Sequence, residues 1–332
     1  MEIGKTAFFI HTAEVVVYDA TPNNIGVLGL TAKNGYRYST TDTKTGEVTT
    51  KLILNPNKHA YKDLDNSADF NKEVKKMLTE AGYNLDTLSW EYNRLDFSFN
   101  FLQEDAYLNH LRLHGLMLSL LYAEHESWKD FYETYHKFTH EHQNINLKDA
   151  CRPHRREYEY YNKPQEQEKQ GRETDYTARY EVRECNLTRR KNLDTIMKLV
   201  FNSCQTMQRS LDEYESTEKE LVKYLVKDYE REAKRNGEYT PVEYARQHFM
   251  DFYTRNMAIQ FFVRTGSDEK QAEKQTDYIK SKHKGEQWIR KKDVERYIDF
   301  LNDTMMDYCN ENIKLRNGAQ LIYEEDVINF QP

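Results

Sequence analysis

The sequence predicts an α+β protein, with a mostly antiparallel sheet and helices in residues 1–190 and a helical part in residues 191–332. Two observations predict it. Apolar and polar residues alternate in several short runs before residue 190, whereas beyond it apolar residues recur at three- and four-residue spacing. With 332 residues the chain exceeds the usual single core and permits one large or two modest domains. A hydrophobic fraction of 38% is lean but enough for globular packing.

In the first 60 residues the strand signals are the β-branched run at 14–18 and the segments 35–41 and 48–54, which flank a turn at Thr45-Gly46. Asn55-Pro56 closes the last of these. A helix over 70–80 stops at Gly82. Residues 93–101 then form the cleanest strand, with Leu95, Phe97, Phe99 and Phe101 alternating with Arg94, Asp96, Ser98 and Asn100. Residues 105–140 turn helical, with leucines at 108, 111, 118 and 121. Strands return at 157–162 and 178–184, separated by a charged, glutamine-rich loop at 164–176.

Leu193, Met197, Val200, Cys204, Met207, Leu211 and Tyr214 lay one seam along a long helix, whose apolar face must meet another helix or a partner. Thr217 with Glu220 reads as a capping box for the next helix, which ends at Asn236-Gly237. Thr240-Pro241-Val242-Glu243 starts another, and further helices cover 268–284 and 287–316.

A formal charge of −7 excludes a protein coated in basic residues, so nucleic acid would have to meet a local patch. Tyrosines number 25 against 15 phenylalanines, which suits wet interfaces and base stacking as well as cores. Cysteines 151, 185, 204 and 309 form no CxxC pair and read as reduced thiols. No apolar run approaches membrane-spanning length and the first residues lack a signal-peptide core, so the expected location is the cytoplasm, and the Asn186-Leu187-Thr188 sequon reads as an accident.

Chemistry concentrates between residues 94 and 190. Tyr158, Tyr160 and Tyr161 run into Asn162 and Lys163, and Arg179-Tyr180-Glu181-Val182-Arg183 follows. Tyrosine beside cations and a carboxylate is equipped to attack a phosphate. The plainer reading is a tyrosine-rich hairpin with rings on one face and charges in water. On an extended strand Tyr158 and Tyr160 face one way and Tyr161 the other. Asp96 beside Arg94, and Glu181 between Arg179 and Arg183, would hold one Mg²⁺ or Mn²⁺ if their strands share a sheet and a face; otherwise they form Asp–Arg and Glu–Arg ladders. Arg152, Arg155 and Arg156, continued by Arg189 and Arg190, make the best basic cluster for DNA. A second patch runs through Lys280, Lys282, Lys284, Arg290, Lys291 and Lys292.

Leu54-Asn55-Pro56-Asn57-Lys58, Arg94-Leu95-Asp96, Tyr161-Asn162-Lys163 with Glu166 downstream, and Arg179-Tyr180-Glu181-Val182-Arg183 occur in one order across the first 190 residues. In this the chain resembles the rolling-circle replication initiators of small plasmids and filamentous phages. The resemblance implies a DNA-nicking endonuclease that acts at a replication origin through a covalent 5′-phosphotyrosine and releases a 3′-hydroxyl. It implies Asp96 and Glu181, with Glu166 as a weaker candidate, as metal ligands and Lys163 as a stabiliser of phosphate charge. For the tyrosine that it calls for, strand parity favours Tyr158 or Tyr160, with Tyr161 a packing member of its motif. The resemblance further implies origin DNA, single-stranded or supercoiled, as partner, with a host helicase or a second copy of the chain beside it. It does not extend to the helical half, and His140-Glu141-His142 is a poor version of the family's His-hydrophobe-His motif.

Two other readings compete. A non-catalytic DNA-binding or interaction protein would use the 193–214 seam and the tyrosines as contacts. A histidine-based metalloenzyme would use His110 with His114, or His136 with His140, each pair on one helix face, although these histidines fit ordinary packing better.

Overall fold

Thr6–Tyr18 (β1), Arg37–Thr41 (β2), Val48–Leu54 (β3), Trp90–Phe101 (β4), Ile145–Lys148 (β5), Arg156–Asn162 (β6) and Ala178–Cys185 (β7) form one antiparallel sheet. The strand order is β2-β3-β1-β4-β7-β6-β5, which sets β4 and β7 side by side near its centre. The structure, a computed structural model, describes residues 6–18, 37–41, 48–122, 145–148, 156–185, 187, 208 and 211–317, apart from 63, 65, 66, 103–105, 170 and 238.

The alternation in β4 works as expected on one side: Leu95, Phe97, Phe99 and Phe101 enter the core. The other side is also covered, for Asp96, Ser98 and Asn100 are buried. Apolar parity in β1 switches between Ile10 and Ala13, and there the register against β4 shifts, leaving His11 as the extra residue of a β-bulge. Such a bulge bends the strand and re-aims the side chains around it.

Helices follow the local signals with four departures. Pro56–Ala60 (α1) forms where the sequence reads only a strand end, since Asn55 caps it by accepting from the Lys58 N–H at 3.1 Å and Pro56 occupies its first turn. Lys163–Glu168 (α4) replaces the first part of the expected 164–176 loop by the same device, with Asn162 as cap and Pro164 in the first turn. Tyr214–Asn236 (α5) starts one turn before the Thr217 capping box, and Thr217 is buried inside the helix.

Ser67–Glu80 (α2), Ala106–Tyr122 (α3), Pro241–Gln247 (α6), Glu269–Lys282 (α8) and Lys291–Asn317 (α9) lie where periodicity and caps predict, and 123–140 of the expected 105–140 helical stretch lie outside the described residues. The Thr240–Glu243 capping box is present. Arg255–Arg264 (α7), capped by Thr254, was not expected.

The described residues on both sides of position 190 share one hydrophobic core. Arg112 of α3 donates to the carbonyls of Phe252 and Gln287, and its guanidinium lies 5.0 Å from the Phe249 ring. His114, one helical half-turn on, stacks on Tyr160 at 4.0 Å and bonds the Tyr297 hydroxyl of α9 at 2.6 Å. The helical half is thereby anchored to the apolar back of β6 and β7. Among the described residues, no helix is long and apolar enough to cross a membrane.

Candidate active site

The polar face of the central strands gathers the four sequence motifs. Register pairs Asp96 with Arg183, Ser98 with Glu181 and Asn100 with Arg179, so alternate residues of β4 and β7 line one face. On the far side of β7, Glu159 pairs with Glu181 and Tyr161 with Arg179, which brings Tyr161 to that same face. From β1 come Thr12, opposite Asp96, and Phe9, opposite Ser98.

An ion-pair ladder runs across it. Arg94 Nε lies 2.9 Å from Asp96, Arg183 Nε 3.7 Å from Asp96, Arg183 Nη2 3.1 Å from Glu181, and Arg179 Nη1 3.3 Å from Glu181. Arg183 also donates to Glu159, and Arg179 to Asn100. The Tyr161 hydroxyl donates to Glu181 Oε1 at 2.8 Å. Lys163, in the first turn of α4, donates to Glu166 at 2.6 Å and sits 5.5 Å from the Tyr161 ring.

The two central carboxylates differ in their protons. Burial pushes the Asp96 pKa up to about 7 against the pull of Arg94 and Arg183. Burial acts the same way on Glu181, but there Arg179, His11, Arg183 and the Tyr161 hydrogen bond outweigh it and hold the group well below the usual carboxylate range. Burial, reinforced by Glu181, holds the Tyr161 hydroxyl protonated with its pKa well raised. Burial and then Arg179 lower the Lys163 ammonium to about 8. Lys58 is lowered by burial and then by Arg172.

His11 is the residue that sequence reasoning missed. Burial, and then Arg179, lower its pKa well below the ordinary value, with Lys163 and Lys58 adding to the effect. The parity switch from Phe8 and Ile10 to Ala13, Val15 and Val17 is the legible sign of the bulge that carries it. Asn57 of the Asn-Pro-Asn-Lys motif also reaches β1, donating to the Ile10 carbonyl at 3.2 Å.

Other expected residues lie elsewhere. Tyr160 is 0% exposed on the opposite, apolar face, against His114, so it does not share a face with Asp96 and Glu181. Tyr161, expected to pack, is the tyrosine on the polar face, because the β6 register sets it opposite Arg179. Tyr158 pairs with Val182; its side chain and that of Arg156 lie outside the described residues, as do Arg152, Arg155, Arg189 and Arg190. His136, His140 and most of the 193–214 seam lie outside them too. His114 is buried in the core against Tyr297, and the side chain of His110, its partner in the expected pair, lies outside the described residues. In the second basic patch Arg290 is paired with Asp293 at 2.8 Å, while Lys282 and Lys291 lie over the rings of Tyr278 and Tyr214.

The donor set does not fit Mg²⁺ or Mn²⁺. Asp96 and Glu181 each meet two guanidinium groups, and Glu166 is held by Lys163 and Gln167. A dication would have to displace these cations. Among the described residues no three His, Cys, Asp or Glu side chains converge as a metal-binding group. The cations of the face are engaged as well, Arg179 with Glu181 and Asn100 and Lys163 with Glu166, while Ser98 Oγ and Asn57 Oδ1 are buried without a hydrogen-bond partner. Neither a protein-family model, nor a curated protein, nor a solved structure matches the chain.

Proposed function

We propose that the chain is a tyrosine-type DNA strand transferase that nicks one strand at a replication origin, as a rolling-circle initiator does, with Tyr161 as nucleophile. The observation that carries the reading is the Tyr161 hydroxyl bonded to the ionised Glu181 on a buried face that also holds Arg179 and Lys163. The ordered motifs supply the DNA substrate class; the geometry supplies the assignment of roles.

In the step, Tyr161 Oη attacks the phosphorus and its proton passes to Glu181 Oε1. The bond from phosphorus to O3′ breaks, and Lys163 gives a proton to the departing oxygen. The products are a 5′-phosphate ester on Tyr161 and a free 3′-hydroxyl. Arg179, and Arg183 behind it, stabilise charge on the phosphoryl oxygens from fixed positions. Asp96, with its raised pKa, keeps Arg94 and Arg183 in place. A cytoplasmic setting, a host helicase and a second copy of the chain belong to this reading as partners and place of action.

The test is incubation with labelled single-stranded oligonucleotides or supercoiled origin plasmid, scored for covalent protein–DNA adducts on a denaturing gel. Tyr161→Phe abolishes the adduct, whereas Tyr160→Phe retains it. The adduct forms in EDTA as it does in Mg²⁺, since no metal step is involved. Adduct surviving in Tyr161→Phe overturns the nucleophile, and no adduct with any substrate favours a non-catalytic DNA-binding protein.

A further inference from the structure

At the end of α1 a bulky aromatic stands where the backbone favours glycine. Tyr61 adopts a left-handed backbone, φ 56 and ψ 27, and among the described residues no other non-glycine has positive φ. Bulky L side chains are disfavoured there, and glycine or asparagine commonly ends a helix in this way. Its ring is 95% exposed, so no packing offsets the strain. Strain and exposure at one aromatic residue point outward, to something that the ring meets in solution.

The base beneath it is rigid. The Lys62 N–H donates to the Asn57 carbonyl at 3.2 Å, and the Asn57 side chain donates to Ile10 beside the His11 bulge. On the other side His59 bridges Glu73 and Glu80 of α2. One short helix therefore fixes Tyr61 to the strand that carries His11. It also carries Lys58, whose charge interacts with Arg172, Glu166, Arg179 and Glu181 of the polar face. Lys62, next in the chain, is exposed as well.

We infer that Tyr61 is a stacking platform for an unpaired nucleobase of the strand whose phosphate enters the site, with Lys62 beside the neighbouring phosphate. The inference rests on the strand-transfer reading. An aromatic face with adjacent cations is the recurrent way of holding single-stranded nucleic acid without reading its sequence.

The experiment is fluorescence anisotropy with a labelled oligothymidine of about 20 nucleotides, long enough to cover a typical single-strand groove. Wild type is compared with Tyr61→Phe and Tyr61→Gly, and melting temperatures are recorded for all three. Expected is a loss of about ten-fold in affinity for Tyr61→Gly, near-wild-type binding for Tyr61→Phe, and a melting temperature for Tyr61→Gly equal to or above wild type. Binding by Tyr61→Gly within about two-fold of wild type overturns the platform and leaves the strand-transfer reading standing. Equal losses in the Phe and Gly variants also overturn it, because stacking does not need the hydroxyl. A wild-type protein that binds no strand, and forms no adduct with origin DNA, sinks both.

Discussion

Lys163 and Glu181 are held in the protonation states that the proposed step uses. Glu181 stays ionised because Arg179, His11, Arg183 and the Tyr161 phenol outweigh its burial, which leaves it the charged acceptor of the Tyr161 hydrogen bond. Lys163 titrates near 8 because burial and Arg179 disfavour its charge, which leaves it a ready acid close to neutral pH. Its protonated form is lost as pH rises through about 8, so the initial rate of adduct formation falls above that pH. Lys163→Arg keeps the charge but gives up no proton, so it slows adduct formation and removes the fall near pH 8; a pH–rate profile on both proteins checks this, and a fall that persists in the variant removes Lys163 from the step. The folded protein binds the Lys163 proton less tightly than the unfolded chain does. This group therefore adds stability with rising pH between about 8 and 10.5.

At the scale of elements, the ladder between β4 and β7 joins two readings that the sequence left as alternatives. Asp96 and Glu181 do share a sheet and a face, and they are also members of Asp–Arg and Glu–Arg ladders. Arg183 is the hinge of that ladder, meeting Asp96, Glu181 and Glu159. Arg183→Ala strands buried carboxylates, and urea unfolding should show a loss of about 3–5 kcal/mol; a loss below about 1 kcal/mol would mean that water replaces the guanidinium freely. The strands were legible because β4 and β7 alternate cleanly. Which tyrosine faces the ladder was not: the run at 158, 160 and 161 places rings on both sides, and only pairing with Ala178–Cys185 decides which side is polar. Nor was α4, since a glutamine-rich composition masked a cap and a proline that specify a helical turn.

For the whole molecule, the back of the sheet matters as much as its front. Tyr160 and Tyr180 present their rings to His114, and His114 bonds Tyr297 of α9, so the strands that carry Tyr161 and Glu181 are buttressed from the helical half. Tyr297→Phe keeps the ring and removes that bond; thermal or chemical unfolding should show a loss of about 1–3 kcal/mol in a single transition. Two separate transitions in that variant would contradict the shared core. The sequence suggested a soft boundary near 190 because strand periodicity stops there. The reach of Arg112 and His114 across it was not legible, because nothing in their sequence neighbourhood, each next to Leu111 or Leu113, names the partner on the far side.

The strand order carries a further consequence for how the protein is made. β7, the last strand among the described residues, occupies an inner position between β4 and β6. Until the ribosome has released Ala178–Cys185, β4 has an unpaired edge on that side, a phenylalanine-rich strand open to any other extended chain. The closing insertion joins a half-sheet of β1 to β4 to the β5–β6 ladder, and it delivers Arg179, Glu181 and Arg183 together. A nascent chain thus covers that edge and assembles the ion-pair ladder in one event, and truncation before residue 185 forfeits both.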